Sequence, residues 1–186
     1  PIPRVDLCVG QGTTDQAPCL YRSMVCFILQ GAKRVAINDQ LLSYDSKHYL
    51  ISALDLPLSG QILDAEGGEP YVAVSLVLDP ALLADLAANM PSIRESEQKG
   101  IGITINPMSA SLRDTLLRLL ALLVTPDDIS VLGPLVEREL LYRLLRGPQG
   151  RLLRQIAHPD GALASIRRAV AWIRDNYTAQ LRIEAL

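Results

Sequence analysis

Two histidines, three cysteines and a scatter of hydroxyl, carboxyl and amide side chains are the groups in this 186-residue chain that could do chemistry. Their spacing argues against catalysis. His48 and His158 fall on different candidate elements, and neither has a second histidine at metal-ligand spacing. His48 reads as a turn-adjacent strand residue, and His158, next to Pro159, as a solvated linker residue. Cys8, Cys19 and Cys26 form no CxxC pair. An odd, sparse thiol set fits a reducing compartment better than a disulfide scaffold, so a cytoplasmic location is expected. GxSxG, P-loop and GxGxxG motifs are absent, and Gly10-x-Gly12 lacks the third glycine and the helix that would make it a nucleotide fingerprint. Asp127-Asp128 precede a helical pattern and read as capping or first-turn charges rather than an acid–base pair. No catalytic residue, metal ligand or cofactor is assigned. What remains is a set of polar groups among apolar strands: Cys26, Tyr49, Ser52, Asp55, Gln61 and Ser75. They either fix a small ligand or are ordinary hydrogen-bonded core and surface groups.

The elements that must position these groups change character near residue 80. Before it the chain reads as strands at 5–9, 20–30, 34–38, 41–44, 48–54, 59–64 and 71–78. The run 20–30 is too apolar for a strand with one solvated face. Asn38-Asp39 and Gly67-Gly68 supply turn residues. Short strands at such spacing, with turns between them, predict a sandwich or barrel. At Asp79-Pro80 the period becomes helical, with Asp as N-cap and Pro in the first turn. A further strand is expected at 101–105. Helices follow at 109–124, from Pro134 to the stop at Gly147-Pro148, at 151–157 and at 162–177.

With 49% hydrophobic residues the chain is globular, and its length suits one sizeable core or two small ones. Eighteen basic and 20 acidic residues give a net charge of −2, which argues against a polybasic surface over the whole molecule. The charge is uneven: residues 137–186 carry a net +4 and residues 1–136 a net −6. The most apolar stretch, 116–124, contains Arg118 and is far shorter than a membrane span, so no membrane association is expected. The sequence opens at Pro1 and ends at Leu186 inside a helical pattern, and is expected to be a fragment of a longer protein.

A family resemblance rests on a series of segments in order. They are Pro18-Cys19-Leu20-Tyr21, Leu29-Gln30-Gly31-Ala32-Lys33-Arg34-Val35, His48-Tyr49-Leu50, Asp55-Leu56-Pro57, Pro70-Tyr71 and Leu78-Asp79-Pro80. The helical stretch from Glu137-Arg138-Glu139 to Pro148-Gln149-Gly150 continues it. Together these resemble the N-terminal cupin-type domain of AraC/XylS-family transcriptional regulators. Ala171-Trp172-Ile173-Arg174-Asp175-Asn176-Tyr177 resembles the opening helix of that family's DNA-binding domain. The resemblance implies an α+β fold: a cupin-like, effector-binding β-barrel over 1–106 with a helix at 80–90 inserted. It further implies a helical dimerisation segment over 107–158, and a linker with the first helix of a truncated DNA-binding domain over 159–186. Contact with DNA is then expected only through helix-turn-helix units beyond Leu186. A cupin-fold metal enzyme, an isomerase or dioxygenase, is the alternative, but one barrel histidine does not supply the two or three that such a metal site needs. A dimerisation domain without an effector is a third reading.

On this reading a small-molecule effector sits inside the barrel against Tyr21, Cys26, Tyr49, Asp55 and Gln61, unless Tyr21 and Asp55-Leu56-Pro57 only brace the barrel rim. One Phe and one Trp argue against an aromatic stacking cage, so a small apolar or mixed-polarity molecule is expected. A homodimer is expected through Leu135, Val136, Glu139, Leu140, Arg143 and Leu144, with the stripe packing on 112–123 of its own chain as the competing arrangement.

Overall fold

The computed structural model describes residues 1–37, 40–63, 68–91, 102–158 and 161–176. The Asn38-Asp39 turn, Gly67, Ile101 and the stretch 177–186 with Tyr177 and Arg182 lie outside the described residues. Two antiparallel sheets face each other in a barrel-like pair, and five helices follow or interrupt them among the described residues. The first sheet has the order β1 (Val5–Gly10), β8 (Tyr71–Val77), β3 (Met24–Gln30), β6 (His48–Ser52), β9 (Ile103–Pro107). The second has the order β2 (Ala17–Tyr21), β7 (Leu56–Leu63), β4 (Ala32–Ile37), β5 (Gln40–Asp45).

The apolar run at 20–30 is not one strand. The chain breaks at Arg22-Ser23, leaving β2 in the second sheet and β3 in the centre of the first. The central position explains the lack of alternation, because both faces of β3 are covered. Val25 and Phe27 join one core and Cys26 and Ile28 the other. Gly31, at φ 82°, makes the tight turn from β3 into β4, a conformation that favours glycine.

Asp79 caps α1 (Pro80–Ala88) as its sequence predicts, its Oδ1 accepting from the amides of Ala81 at 2.9 Å and Leu82 at 3.3 Å. Ser109 Oγ likewise caps α2 (Ala110–Ala121), accepting from the Leu112 amide. α3 (Ile129–Arg146) begins five residues before Pro134, after a 3-10 turn at Pro126–Asp128. Pro134 therefore lies inside the helix, where it removes one backbone bond, to the carbonyl of exposed Ser130. Asp127 and Asp128 stand at the helix N-terminus, where their charge is favourable, although Asp128 makes no side-chain capping bond. α4 (Gly150–Ala157) and α5 (Ala162–Asp175) complete the described chain.

The helices pack on the outer face of the first sheet. Leu83, Leu116, Leu119, Leu140, Leu141, Leu144, Leu145 and Leu153 meet Val25, Phe27, Ile51, Val74 and Leu76 there. The N-terminal segment is fastened to this layer. Arg4, at φ 62°, donates to both carboxylate oxygens of buried Glu137 at 2.7–3.0 Å and reaches the α1 cap, Asp79, at 3.3 Å. No single described helix is long and apolar enough to cross a membrane.

Candidate functional site

The interior between the two sheets is where polar groups collect. Strand parity decides which side chains enter it. In β2 these are Cys19 and Tyr21, in β3 Cys26 and Ile28, in β5 Leu42 and Tyr44, and in β8 Tyr71 and Ala73. In β4 Val35 is inside, so Lys33, two residues earlier, enters as well. Its strand neighbours in register are Tyr44 and Ile62. The Lys33 ammonium lies 4.9 Å from the centroid of the Tyr21 ring, a cation–π contact. Gly60 makes room for it: a Cβ there would stand 3.1 Å from both Lys33 Cε and Cys19 Sγ. Among the described residues no carboxylate pairs with Lys33.

Around this cation the acids are held neutral. Burial pushes the phenols of Tyr21, Tyr44 and Tyr71 well above their ordinary range, and also raises the Cys26 thiol. All four remain protonated donors at neutral pH. The Tyr21 and Tyr44 hydroxyls are buried close to one another, with the Cys26 thiol beside Tyr44, but none of these contacts reaches full hydrogen-bonding geometry. A cation beside protonated O–H groups, walled by Ile28, Val35, Leu50 and Leu58, has the chemistry to complement an anion carried on an apolar body.

Of the five residues the sequence singled out as lining, the structure brings two, Tyr21 and Cys26, into this interior. Tyr49 faces the other way, stacked at 5.9 Å on Phe27 in the helix-covered core, because β6 is buried on both faces and Leu50 takes the inner one. Asp55 lies at the rim, its Oδ1 accepting from the Ser23 amide at 3.0 Å just where the chain passes from β2 to β3. Gln61 alternates with inward Gly60 and Ile62 and so lies on the outer face of β7, beside Arg34 and 3.5 Å from its Nη1. Lys33, Tyr44 and Tyr71 are the interior groups that sequence reasoning missed. The available signal was parity: Lys33 with Val35, Tyr44 with Leu42.

His48 stays at the edge, its Nδ1 2.8 Å from Asp45 Oδ1, and that contact draws the Asp45 carboxyl below its ordinary value. Among the described residues no three His, Cys, Asp or Glu side chains converge as a metal site would require.

The model of the AraC-type transcriptional regulator N-terminus matches residues 1–152. The chain belongs to this family. AraC-type chains are transcriptional regulators, so the family makes an enzyme an improbable reading of the barrel. No curated protein sequence matches the chain closely enough to count as a relative. Among solved structures it is similar to ToxT from Vibrio cholerae with a bound unsaturated fatty acid. The TM-score is 0.56 at 8% identity over 96% of this chain and 65% of that one. It is also similar to ToxT bound to (E)-4-(8-methylnaphthalen-1-yl)but-3-enoic acid, with TM-score 0.51 at 9% identity over 96% and 69%. The chain thus spans about two thirds of the length of these neighbours, and at such identities the likeness is one of fold.

The dimer residues expected from sequence are divided by the same structure. Leu140 and Leu144 are fully buried by their own chain, so they present nothing to a second copy. Val136 packs partly against the same core. Glu139 and Arg143 pair along their helix at 2.6 Å, and Glu139 also holds Arg118 and Thr115 of α2. These partners pull the Glu139 carboxyl down to about 2. Leu135 alone of the six is fully exposed, alongside Val131 and Leu132 on α3 and Leu117, Leu123 and Val124 near the end of α2.

Proposed function

We propose that this chain is the effector-sensing and dimerising part of an AraC-type regulator, and that its effector is a small organic acid with an apolar body. The observation that carries the ligand class is Lys33, a cation in the inner core with no carboxylate partner, beside two phenols whose hydroxyls are unpartnered. The ToxT neighbours hold a fatty acid and an aryl-butenoic acid, which are carboxylates on apolar bodies, and this agrees with the reading. In it Lys33 meets the carboxylate, Tyr21 and Tyr44 donate to it, and Cys26 contributes to the wall. Asp55 then braces the rim. The barrel would be a cupin-like sensor over 1–106, no metal or cofactor takes part, and the protein acts in the cytoplasm.

Thermal unfolding with decanoate, kept below micelle formation, tests the ligand. A ligand that binds only the native state raises the midpoint. The wild type should rise with decanoate and not with decanol, and Lys33→Met should lose the rise. No rise in the wild type with decanoate or any other organic acid of this size would end the reading.

In the same proposal residues 107–158 dimerise through the exposed apolar corner formed by Leu135, Val131 and Leu132 with the end of α2. Residues 159–186 lead toward a DNA-binding domain, to which the basic bias of 137–186 is suited. Sedimentation at tens of micromolar should show a dimer for the wild type and a monomer for Leu135→Asp. A monomeric wild type would sink this part.

A further inference from the structure

We infer that the pocket at the junction of β9, α2 and the end of α3 is a second binding site, for a small organic oxyanion, separate from the barrel interior. The pocket measures about 420 Å³, the size that takes a small metabolite. Tyr49, Ser109, Ser111, Tyr142, Arg143 and Arg146 supply its polar wall, with Pro107, Leu112 and Pro148 as apolar floor. Among the described residues no carboxylate lines it, although Arg143 is paired with Glu139 outside the lining.

Three observations fix the charge of the occupant. Arg146 bonds only to the Tyr142 hydroxyl, at 3.4 Å, and no described carboxylate pairs with it. Ser109, Ser111 and Leu112 bring the first turn of α2, the positive end of a 12-residue helix, into the pocket lining. Tyr49 is 2% exposed yet lines the pocket, and among the described residues its hydroxyl has no hydrogen-bond partner. A Cβ placed on Gly147 would lie 3.4 Å from that oxygen, which puts the Tyr49 hydroxyl beside the end of α3. Burial holds the Tyr49 phenol up at about 12, so it stays a donor at neutral pH. A guanidinium, a helix N-terminus and a buried phenol donor directed at one space complement an oxyanion, and the proline and leucine floor suits a compact apolar body attached to it.

The first turn of α2 and the last turn of α3 both line the pocket, so an occupant would tie together the two helices that carry the exposed apolar corner. Isothermal titration at fixed ionic strength with phenyl phosphate, and with benzoate as the carboxylate arm, tests the site. One saturable site is expected for at least one of them, and the stronger probe identifies the oxyanion. Arg146→Ala, at an exposed position, should weaken it about tenfold or more, the scale of one charge-assisted hydrogen bond. Tyr49→Phe should weaken it several-fold with circular dichroism unchanged. Lys33→Met should leave it intact. Absence of binding by both probes would overturn the inference, as would binding indifferent to Arg146→Ala. Binding lost in Lys33→Met but kept in Arg146→Ala would place the anion in the barrel and overturn it too, while leaving the barrel proposal standing.

Discussion

The two sides of β3 are built to different standards. Toward the helices, Val25 and Phe27 enter a layer of leucine, isoleucine and valine, with the buried, partly unpartnered guanidinium of Arg154 at its α4–α1 contact. Toward the second sheet, Cys26 and Ile28 face three tyrosines, a second cysteine and a lysine. An aliphatic core stabilises by burial alone. A core that buries donors without partners forgoes part of that gain, by about 1–3 kcal/mol for each unsatisfied group. The contrast separates an aliphatic layer from one that buries polar groups, within side chains that alternate along a single strand.

The largest effect should come from damaging the first layer. Leu141→Ala removes a side chain with no solvent exposure, and denaturant unfolding should show a loss of about 2–5 kcal/mol. Arg4→Ala should come next. It leaves the buried Glu137 carboxylate without its three hydrogen bonds, while alanine retains the left-handed backbone cost at this position. A loss of about 1–3 kcal/mol is expected, toward the lower end because Arg4 is itself partly exposed. Arg4→Lys should recover only part of it, since a single ammonium cannot reproduce the two-pronged contact.

The inner core should respond with the opposite sign. Tyr44→Phe deletes a buried hydroxyl that has no partner, so ligand-free stability should be unchanged or higher by up to about 1 kcal/mol, while the midpoint rise with an organic acid shrinks. A marked loss of ligand-free stability would erase the distinction between the two cores.

The smallest effect is a pH dependence at the α2–α3 contact. Glu139 has a carboxyl lowered from 4.5 to about 2, chiefly by Arg118 and then Arg143. A depressed folded-state value means stability that is present above about 4.5 and lost as pH falls through about 2. Glu139→Gln should therefore melt slightly below the wild type at pH 7, with the two midpoints converging as pH approaches 2. A difference that persists undiminished at pH 2 would show that the pair contributes through packing rather than charge.

Much of the fold could be read from the chain, because a half-buried strand alternates and a surface helix repeats near 3.6 residues. The strands at 5–9, 41–44 and 71–78, the Asp79 cap and the Gly147 stop all follow from such local rules. The rules failed where both faces were covered. The run at 20–30 concealed a sheet change, and the segment around Tyr49 gave no parity to choose a face, which sent Tyr49 to the wrong core. Gln61 was misassigned for the opposite reason: its small inward neighbour, Gly60, carries no apolar mark.

By itself the sequence determined the element types, the switch near residue 80, and the family resemblance that the match over 1–152 bears out. Local propensity and spacing are properties of neighbours along the chain, and these conclusions needed nothing more. Only the tertiary structure decided that Lys33 enters the barrel, that Leu140 and Leu144 serve their own chain, and that Tyr49 opens on a pocket made with the ends of α2 and α3. Each depends on which surface covers a strand or helix face, and that surface comes from residues tens of positions away.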